Sequence, residues 1–172
     1  MPETDVGPNE DATIFYTSGS TGHPKGVVAC HRNIITALLS WELDARAASH
    51  MRGKPFSPPS TPQATLLAVP LFHVTGSHAV FLMSYRAQRR LVSMYKWDVE
   101  KAAELIEREK ITSVVAPAAM TGDLVATAER TKRDLSSLAV VGGGGAPRAP
   151  AQVRSIDKAF KRAAPNTGWG MT

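Results

Sequence analysis

Of 172 residues, 43% are hydrophobic, 20% charged and 6% aromatic, with 13 Gly and 12 Pro, the proportions of one ordinary globular domain that buries roughly 70% of its unfolded surface without staples. Cys30 is the single cysteine, which excludes an intramolecular disulfide and a Cys-rich zinc cluster and points to a reducing, cytoplasmic setting. The formal charge of +5 comes without an Arg/Lys-dense arm or an aromatic-interleaved stripe, and no run reaches the roughly 18 apolar residues of a membrane span, so neither a nucleic-acid partner, secretion nor membrane insertion is expected.

The polar leader gives way at Ala12–Tyr16 (ATIFY) to a short β-rich run that stops at the Gly/Ser/Thr cluster TSGSTG, the pattern of a strand entering a loop. From Asn33, the residues Ile34, Ile35, Leu38, Trp41 and Ala45 recur at helical spacing as far as His50. Arg52–Pro62 (RGKPFSPPSTP) holds four prolines and is expected to be a solvated loop inside the domain rather than a boundary. Thr65–Val69 (TLLAV), ended by Pro70, suggests a strand buried on both faces, with Ser77–Ala87 as the helix after it.

Arg90–Tyr95 supplies the next strand, and Asp98 is a candidate N-cap for a helix in which Val99, Ala102, Ala103 and Ile106 share the core face. Glu104 and Arg108 form an i,i+4 pair on its wet side. The alternation continues with a strand at Ile111–Ala116, a helix at Gly122–Arg130, a strand at Leu138–Val141 and a last helix marked by Val153, Ile156 and Phe160. Short apolar strands alternating with amphipathic helices indicate an α/β fold, three layers with a mostly parallel sheet between helices, over one domain spanning residues 1–172. Ligands in such sheets sit at the carboxyl ends of the strands. The unusual loops fall there in this reading: TSGSTGHPKG, PLFHVTG, APAAM and GGGGAP.

Tyr16–Val27 reads YTSGSTGHPKGV. Small residues let backbone N–H groups approach an anion, hydroxyls add donors, and Lys25 adds a point charge, so the segment has the composition of a phosphate cradle. A flexible Gly/Ser turn is the alternative that composition leaves open. Lys25 follows Pro24 and precedes Gly26, which excludes a Walker A loop, and Gly19-Ser20-Thr21-Gly22 lacks the spacing of the Gly-x-Ser-x-Gly elbow of hydrolases. His73, taken alone after an apolar strand, reads more readily as a satisfied structural histidine than as a functional one. His23, His31, His50 and His78 show no metal-ligand spacing and read as surface or packing residues; no metal ligand is assigned.

The loop TSGSTGHPKG resembles the phosphate-binding signature of the adenylate-forming superfamily, which includes acyl-CoA synthetases, luciferases and peptide-synthetase adenylation domains. PLFHVTG (Pro70–Gly76) resembles the family's acyl-pocket motif, GGGGAP (Gly142–Pro147) the glycine segment beside the adenine and acyl sites, and NTGWGMT (Asn166–Thr172) the adenine motif. The four occur in the family's order, and KWDVEKAAELIEREKITSVVAP and VVGGGGAPRAP look most like fatty-acyl-CoA synthetases. The resemblance implies that Thr17, Ser18, Gly19, Ser20, Thr21 and Gly22 wrap the ATP phosphates while Lys25 neutralises β/γ charge. It implies that Gly143, Gly144, Gly145, Ala146 and Pro147 let the adenine and acyl chain approach the backbone, that Trp169, with Gly170, stacks on adenine, and that Thr172 reaches the α-phosphate. His73, with Phe72, would border the acyl channel near the reacting carboxylate.

Taken as a whole, the resemblance implies an enzyme that uses ATP, Mg²⁺ and CoA to activate a small-molecule carboxylate, a fatty acid, as acyl-adenylate and transfer it to the thiol. The acidic residue that comes after the threonine matching Thr172, the ribose-binding aspartate and the mobile C-terminal domain are not in the 172 residues. The chain is therefore expected to be a subdomain of a longer enzyme that folds without turning over; a non-catalytic nucleotide- or anion-binding module is the alternative. Two positions depart from the family pattern. Gln88-Arg89-Arg90 stands where small, glycine-rich residues are usual, and Ala118 stands where a threonine or serine is common.

Overall fold

The computed structural model describes all residues except 1–4, 19–21, 54–56, 58, 145–148, 161–162 and 169–172. The chain divides into two compact units, residues 1–58 and 59–171. The proline-rich segment expected to be an internal loop of one domain is thus where the chain passes from one unit to the other.

The first unit carries β1 (Asp11–Thr17), β2 (Lys25–Cys30) and α1 (His31–Met51). β2 is an element the sequence reading does not contain. Val27 and Val28 are β-branched and pair with Phe15 and Ile14 in an antiparallel ladder that runs from Thr13↔Ala29 to Thr17↔Lys25. β1 is therefore not a strand of a parallel sheet, and the Gly/Ser/Thr loop connects two hairpin strands instead of a strand to a helix. α1 starts at His31, two residues before the expected Asn33, because the Asn33 carboxamide oxygen accepts the Cys30 N–H at 3.1 Å and the Glu10 carbonyl accepts the His31 N–H at 3.1 Å. Of its apolar stripe only Leu38 is buried.

The second unit holds β3 (Ala64–Leu67), a π-helix (Thr75–Leu82) continued by the short α2 (Met83–Arg86), β4 (Arg90–Ser93), α3 (Val99–Glu109), β5 (Ser113–Ala116), α4 (Ala118–Thr131), β6 (Val140–Gly143), α5 (Pro150–Ala159) and β7 (Ala164–Thr167). The strands form one sheet in the order β4-β3-β5-β6-β7, and every neighbouring pair is parallel. The parallel α/β architecture is the one the alternation predicts. Only β7 is additional.

Connections between parallel strands are right-handed. From β3 the chain moves to the edge strand β4, then returns past β3 to β5 and on to β6 and β7, so the π-helix and α3–α5 cover opposite faces. Burial agrees with this division. Ala64, Leu66, Val114, Ala116 and Val141 pack with Ala102, Ala103, Ile106, Leu124 and Ile156 in one core, and each fully buried aliphatic side chain there contributes about 1.5–3 kcal/mol. On the other face, Val80 of the π-helix is buried, as are Thr65, Leu67 and Ser113 of β3 and β5. Asp98 caps α3 as expected, its carboxylate accepting the Lys101 N–H at 3.0 Å, and Arg108 pairs with Glu104 at 3.2 Å.

The turn that departs from the family pattern keeps a left-handed residue. Gln88 lies at φ 51° just beyond the end of α2, a conformation that costs a side-chain-bearing residue about 1–2 kcal/mol. Gln88 is exposed, so Gln88→Gly is expected to stabilise the protein by about 1 kcal/mol in urea unfolding.

At the opposite end of the sheet from the strands' carboxyl termini, the α4–β6 loop is tied to α3. Arg133 pairs with Glu107 at 2.9 Å, and Glu107 accepts the Asp134 N–H at 2.8 Å. Hydrogen bonds from the Ser136 hydroxyl and amide, then from Lys110, lower the Asp134 carboxyl from its ordinary 3.8 to about 2. A carboxyl depressed by folding adds stability that is present above its ordinary value and lost as pH falls through the folded value. Asp134→Asn is therefore expected to lower stability at neutral pH, with the difference from wild type shrinking as pH falls below 3.8 and through about 2.

Candidate active site

In the first unit, the hairpin loop presents Thr17, Ser18, Gly22 and Lys25. Thr17 Oγ1 donates to the Lys25 carbonyl at 3.5 Å, closing the mouth of the loop below its tip. Gly22 has φ +88° and open space where a Cβ would stand, so the backbone turns there without a side chain to screen its N–H groups. Lys25 is exposed and forms no ion pair among the described residues. Gly19, Ser20 and Thr21 lie outside the described residues. An exposed cation at the edge of a side-chain-poor turn can bind an anion through charge and backbone donors.

In the second unit, the candidate residues collect at the carboxyl ends of the parallel strands. The connection from β3 leaves toward β4 and the connection from β5 leaves toward β6, which makes the crevice above β3 and β5 the topological switch point, where open α/β sheets bind ligands. Pro70–Gly76 lies just past β3 there, and Pro117 and Ala118 just past β5. Gly143 ends β6. A Cβ on Gly144 would stand 3.5 Å from both Cγ2 and Oγ1 of Thr75, so the loop after β3 reaches across β5 to the glycine segment after β6. The Gly168 N–H donates to the Gly143 carbonyl at 2.9 Å, which brings the segment after β7 to the same place.

The shape of the β3 loop depends on Gly76. A Cβ there would stand 2.2 Å from the Pro70 carbonyl oxygen and 2.7 Å from that of Val69. Below this contact His73 N–H donates to the Pro70 carbonyl at 3.1 Å, and Thr75 N–H donates to His73 Nδ1 at 3.1 Å. His73 is exposed, as is its neighbour Phe72 at 82%. His78, expected to be a surface or packing residue, is 7% exposed, and burial lowers its pKa. Burial of the ring and the role of Thr75 were not legible in the sequence, because no spacing rule places a residue on a π-helix.

Gly145, Ala146, Pro147, Trp169, Gly170 and Thr172 lie outside the described residues. The structure therefore brings together His73, Gly143 and Gly144 in the second unit, and Thr17, Ser18, Gly22 and Lys25 in the first. Among the described residues no three His, Cys, Asp or Glu side chains group as metal ligands, and no helix is long and apolar enough to cross a membrane.

Residues 1–172 match the family described as AMP-binding enzyme. A 4-coumarate–CoA ligase-like protein of Oryza sativa subsp. japonica is 36% identical over 95% of the chain and 30% of its own length, and a 4-coumarate–CoA ligase of Narcissus pseudonarcissus is 29% identical over 100% and 30%. Among solved structures, the N-terminal domain of FACL13 from Mycobacterium tuberculosis superposes with a TM-score of 0.78 at 27% identity, covering 99% of the chain and 39% of that domain structure. The o-succinylbenzoate CoA synthetase of Bacillus subtilis in complex with AMP gives 0.76 at 27% identity, covering 97% and 31%. The chain thus spans about a third of the length of the relatives it matches. With the family model matched along its whole length and a parallel α/β sheet shared with these structures, the chain belongs to the AMP-binding enzyme family.

Proposed function

We propose that the chain is the nucleotide- and carboxylate-binding part of an AMP-forming carboxylate–CoA ligase. The observation that carries this reading is the convergence of three separate loops at the switch point: Thr75 of the His73 loop against Gly144, and Gly168 N–H on the Gly143 carbonyl. A flat heterocycle needs side-chain-free backbone on which to lie, and the glycines after β6 and β7 offer it beside a histidine that can meet a carboxylate. The hairpin loop of the first unit, taken by itself, carries donors and a cation suited to phosphate oxygens.

The reaction joins a substrate carboxylate oxygen to the α-phosphorus of ATP, with pyrophosphate leaving; the CoA thiol then attacks the acyl carbonyl and AMP leaves. The chain's contribution is positioning and charge stabilisation. Thr17, Ser18, Gly22 and Lys25 hold the phosphates together with Gly19, Ser20 and Thr21; Gly143–Pro147, Trp169 and Gly170 receive the adenine; Thr172 meets the α-phosphate; His73 orients the carboxylate. Mg²⁺ supplies countercharge to the triphosphate when bound, and no residue of the chain is assigned to it.

The fatty-acid reading rests on the neighbourhood of α3 and β6; the two sequence relatives named above are a 4-coumarate–CoA ligase-like protein and a 4-coumarate–CoA ligase. The two substrate classes separate in one assay. Pyrophosphate exchange by the full-length protein is measured with acetate, a medium-chain and a long-chain fatty acid, and 4-coumarate. Exchange dependent on a fatty acid is expected; exchange with 4-coumarate alone would move the substrate class to aryl acids, and no carboxylate-dependent exchange with any of them would refute the reaction. The cytoplasm is the expected place for such an enzyme, in keeping with its lone half-buried thiol.

A further inference from the structure

The two helices that leave the carboxyl ends of β5 and β6 are tied to each other by one side chain. α4 begins at Ala118, directly after β5 and Pro117, and α5 begins at Pro150, beyond the glycines that follow β6. Among the described residues neither start carries a side-chain cap. Gln152, half-buried in the first turn of α5, reaches over to α4, where its Nε2 donates to the Ala118 carbonyl. Thr121 Oγ1 donates to the same carbonyl at 3.1 Å. A carbonyl can only accept, so the amide nitrogen of Gln152 is the end that faces α4. Gly122, four residues after Ala118 and therefore on the same side of the helix, makes room for it. A Cβ on Gly122 would stand 3.1 Å from Gln152 Nε2, which accounts for the poorest non-proline helix former inside α4.

We propose that Gln152 is a positioning residue for nucleotide binding: its carboxamide fastens the first turn of α5 to the first turn of α4, and so holds Gly143 and Gly144 in the arrangement that the nucleotide meets. The proposal rests on the nucleotide-binding reading above. At one end of this frame Gly143 accepts the Gly168 N–H at 2.9 Å, and Gly144 lies against Thr75. At the other end the bond from Gln152 to Ala118 fixes where the connection from β6 must arrive. Glycine loses more backbone freedom on ordering than any other residue. A backbone surface made of glycine therefore binds best when its two ends are already held, because the ligand then has less to order. Gln152 acts through the glycines and is assigned no contact with the ligand.

Backbone ¹⁵N relaxation and an AMP titration of the chain test this together. In Gln152→Ala the order parameters of Gly143 and Gly144 are expected to fall, and AMP affinity to drop about threefold to tenfold, the loss of one hydrogen bond. Gln152→Glu has the same size but sets an oxygen against the Ala118 carbonyl, and is expected to lose at least as much. Gly122→Ala displaces the carboxamide from the other side. It is expected to weaken AMP about twofold or more in the wild-type background and to add nothing to Gln152→Ala. Its stability in urea should not fall, since alanine is the better helix former. In pyrophosphate exchange by the full-length protein, Gln152→Ala should raise the KM for ATP and hold the KM for the carboxylate within about twofold, a split that loosened helix packing alone would not produce. Unchanged order parameters and AMP affinity in both Gln152 variants, or equal losses from Gly122→Ala in both backgrounds, would overturn the proposal. A wild-type chain that binds no AMP would refute the nucleotide reading instead, and the order parameters of Gly143 and Gly144 would still decide whether Gln152 holds them.

Discussion

Gly76→Ala is expected to destabilise the second unit by about 3 kcal/mol or more, at the upper end of what overpacking costs. The new methyl would stand 2.2 Å from the Pro70 carbonyl oxygen and 2.7 Å from the Val69 oxygen, and both obstacles are backbone. No side chain can swing aside, so the chain leaving β3 must move away from the π-helix beyond it. That movement would also separate Thr75 N–H from His73 Nδ1. Gly144→Ala is the useful contrast, because its methyl meets Thr75 at an ordinary 3.5 Å and is expected to change stability by less than about 0.5 kcal/mol. Urea unfolding of the two variants beside wild type checks both values; equal stability for the two would mean that Gly76 is not obligatory.

Lys25→Ala is expected to lower kcat/KM for ATP in pyrophosphate exchange by about tenfold to a hundredfold, the worth of one charge-assisted hydrogen bond of about 1.5–3 kcal/mol. Stability should hold within about 0.5 kcal/mol, because the side chain is exposed and the bond that closes the hairpin uses the Lys25 backbone carbonyl. Lys25→Arg keeps the charge and should recover part of the loss. An unchanged kcat/KM in Lys25→Ala would remove the lysine from the phosphate site.

The parallel sheet was legible because its strands announce themselves. TLLAV, ITSVVA and LAVV are short apolar runs between helices whose core faces repeat at helical spacing, and Ala102, Ala103 and Ile106 are buried as that spacing requires. β2 was not legible. KGVVAC is six residues long, and its β character becomes decisive only through pairing with β1, which is a tertiary fact. β7, with the sequence APNT, has a proline and an asparagine that propensity assigns to a turn; the β6 edge recruits it as a strand. In the candidate site, sequence order found the loops that follow β3 and β6. It could not find the tie between Thr75 and Gly144, since that depends on a π-helix beginning at Thr75.

The most direct test of a nucleotide site in this chain is an amide NMR titration with Mg-ATP, with AMP and a short DNA duplex as comparisons. Saturable shifts confined to Thr17–Gly26, to Gly143 and Gly144 with the adjoining Gly145 and Ala146, and to Trp169 are expected, with AMP moving the glycine segment more than the hairpin and DNA moving neither. No shift at about millimolar ATP, well above the ordinary range for substrates, or the same shifts with DNA as with ATP, would contradict the assignment.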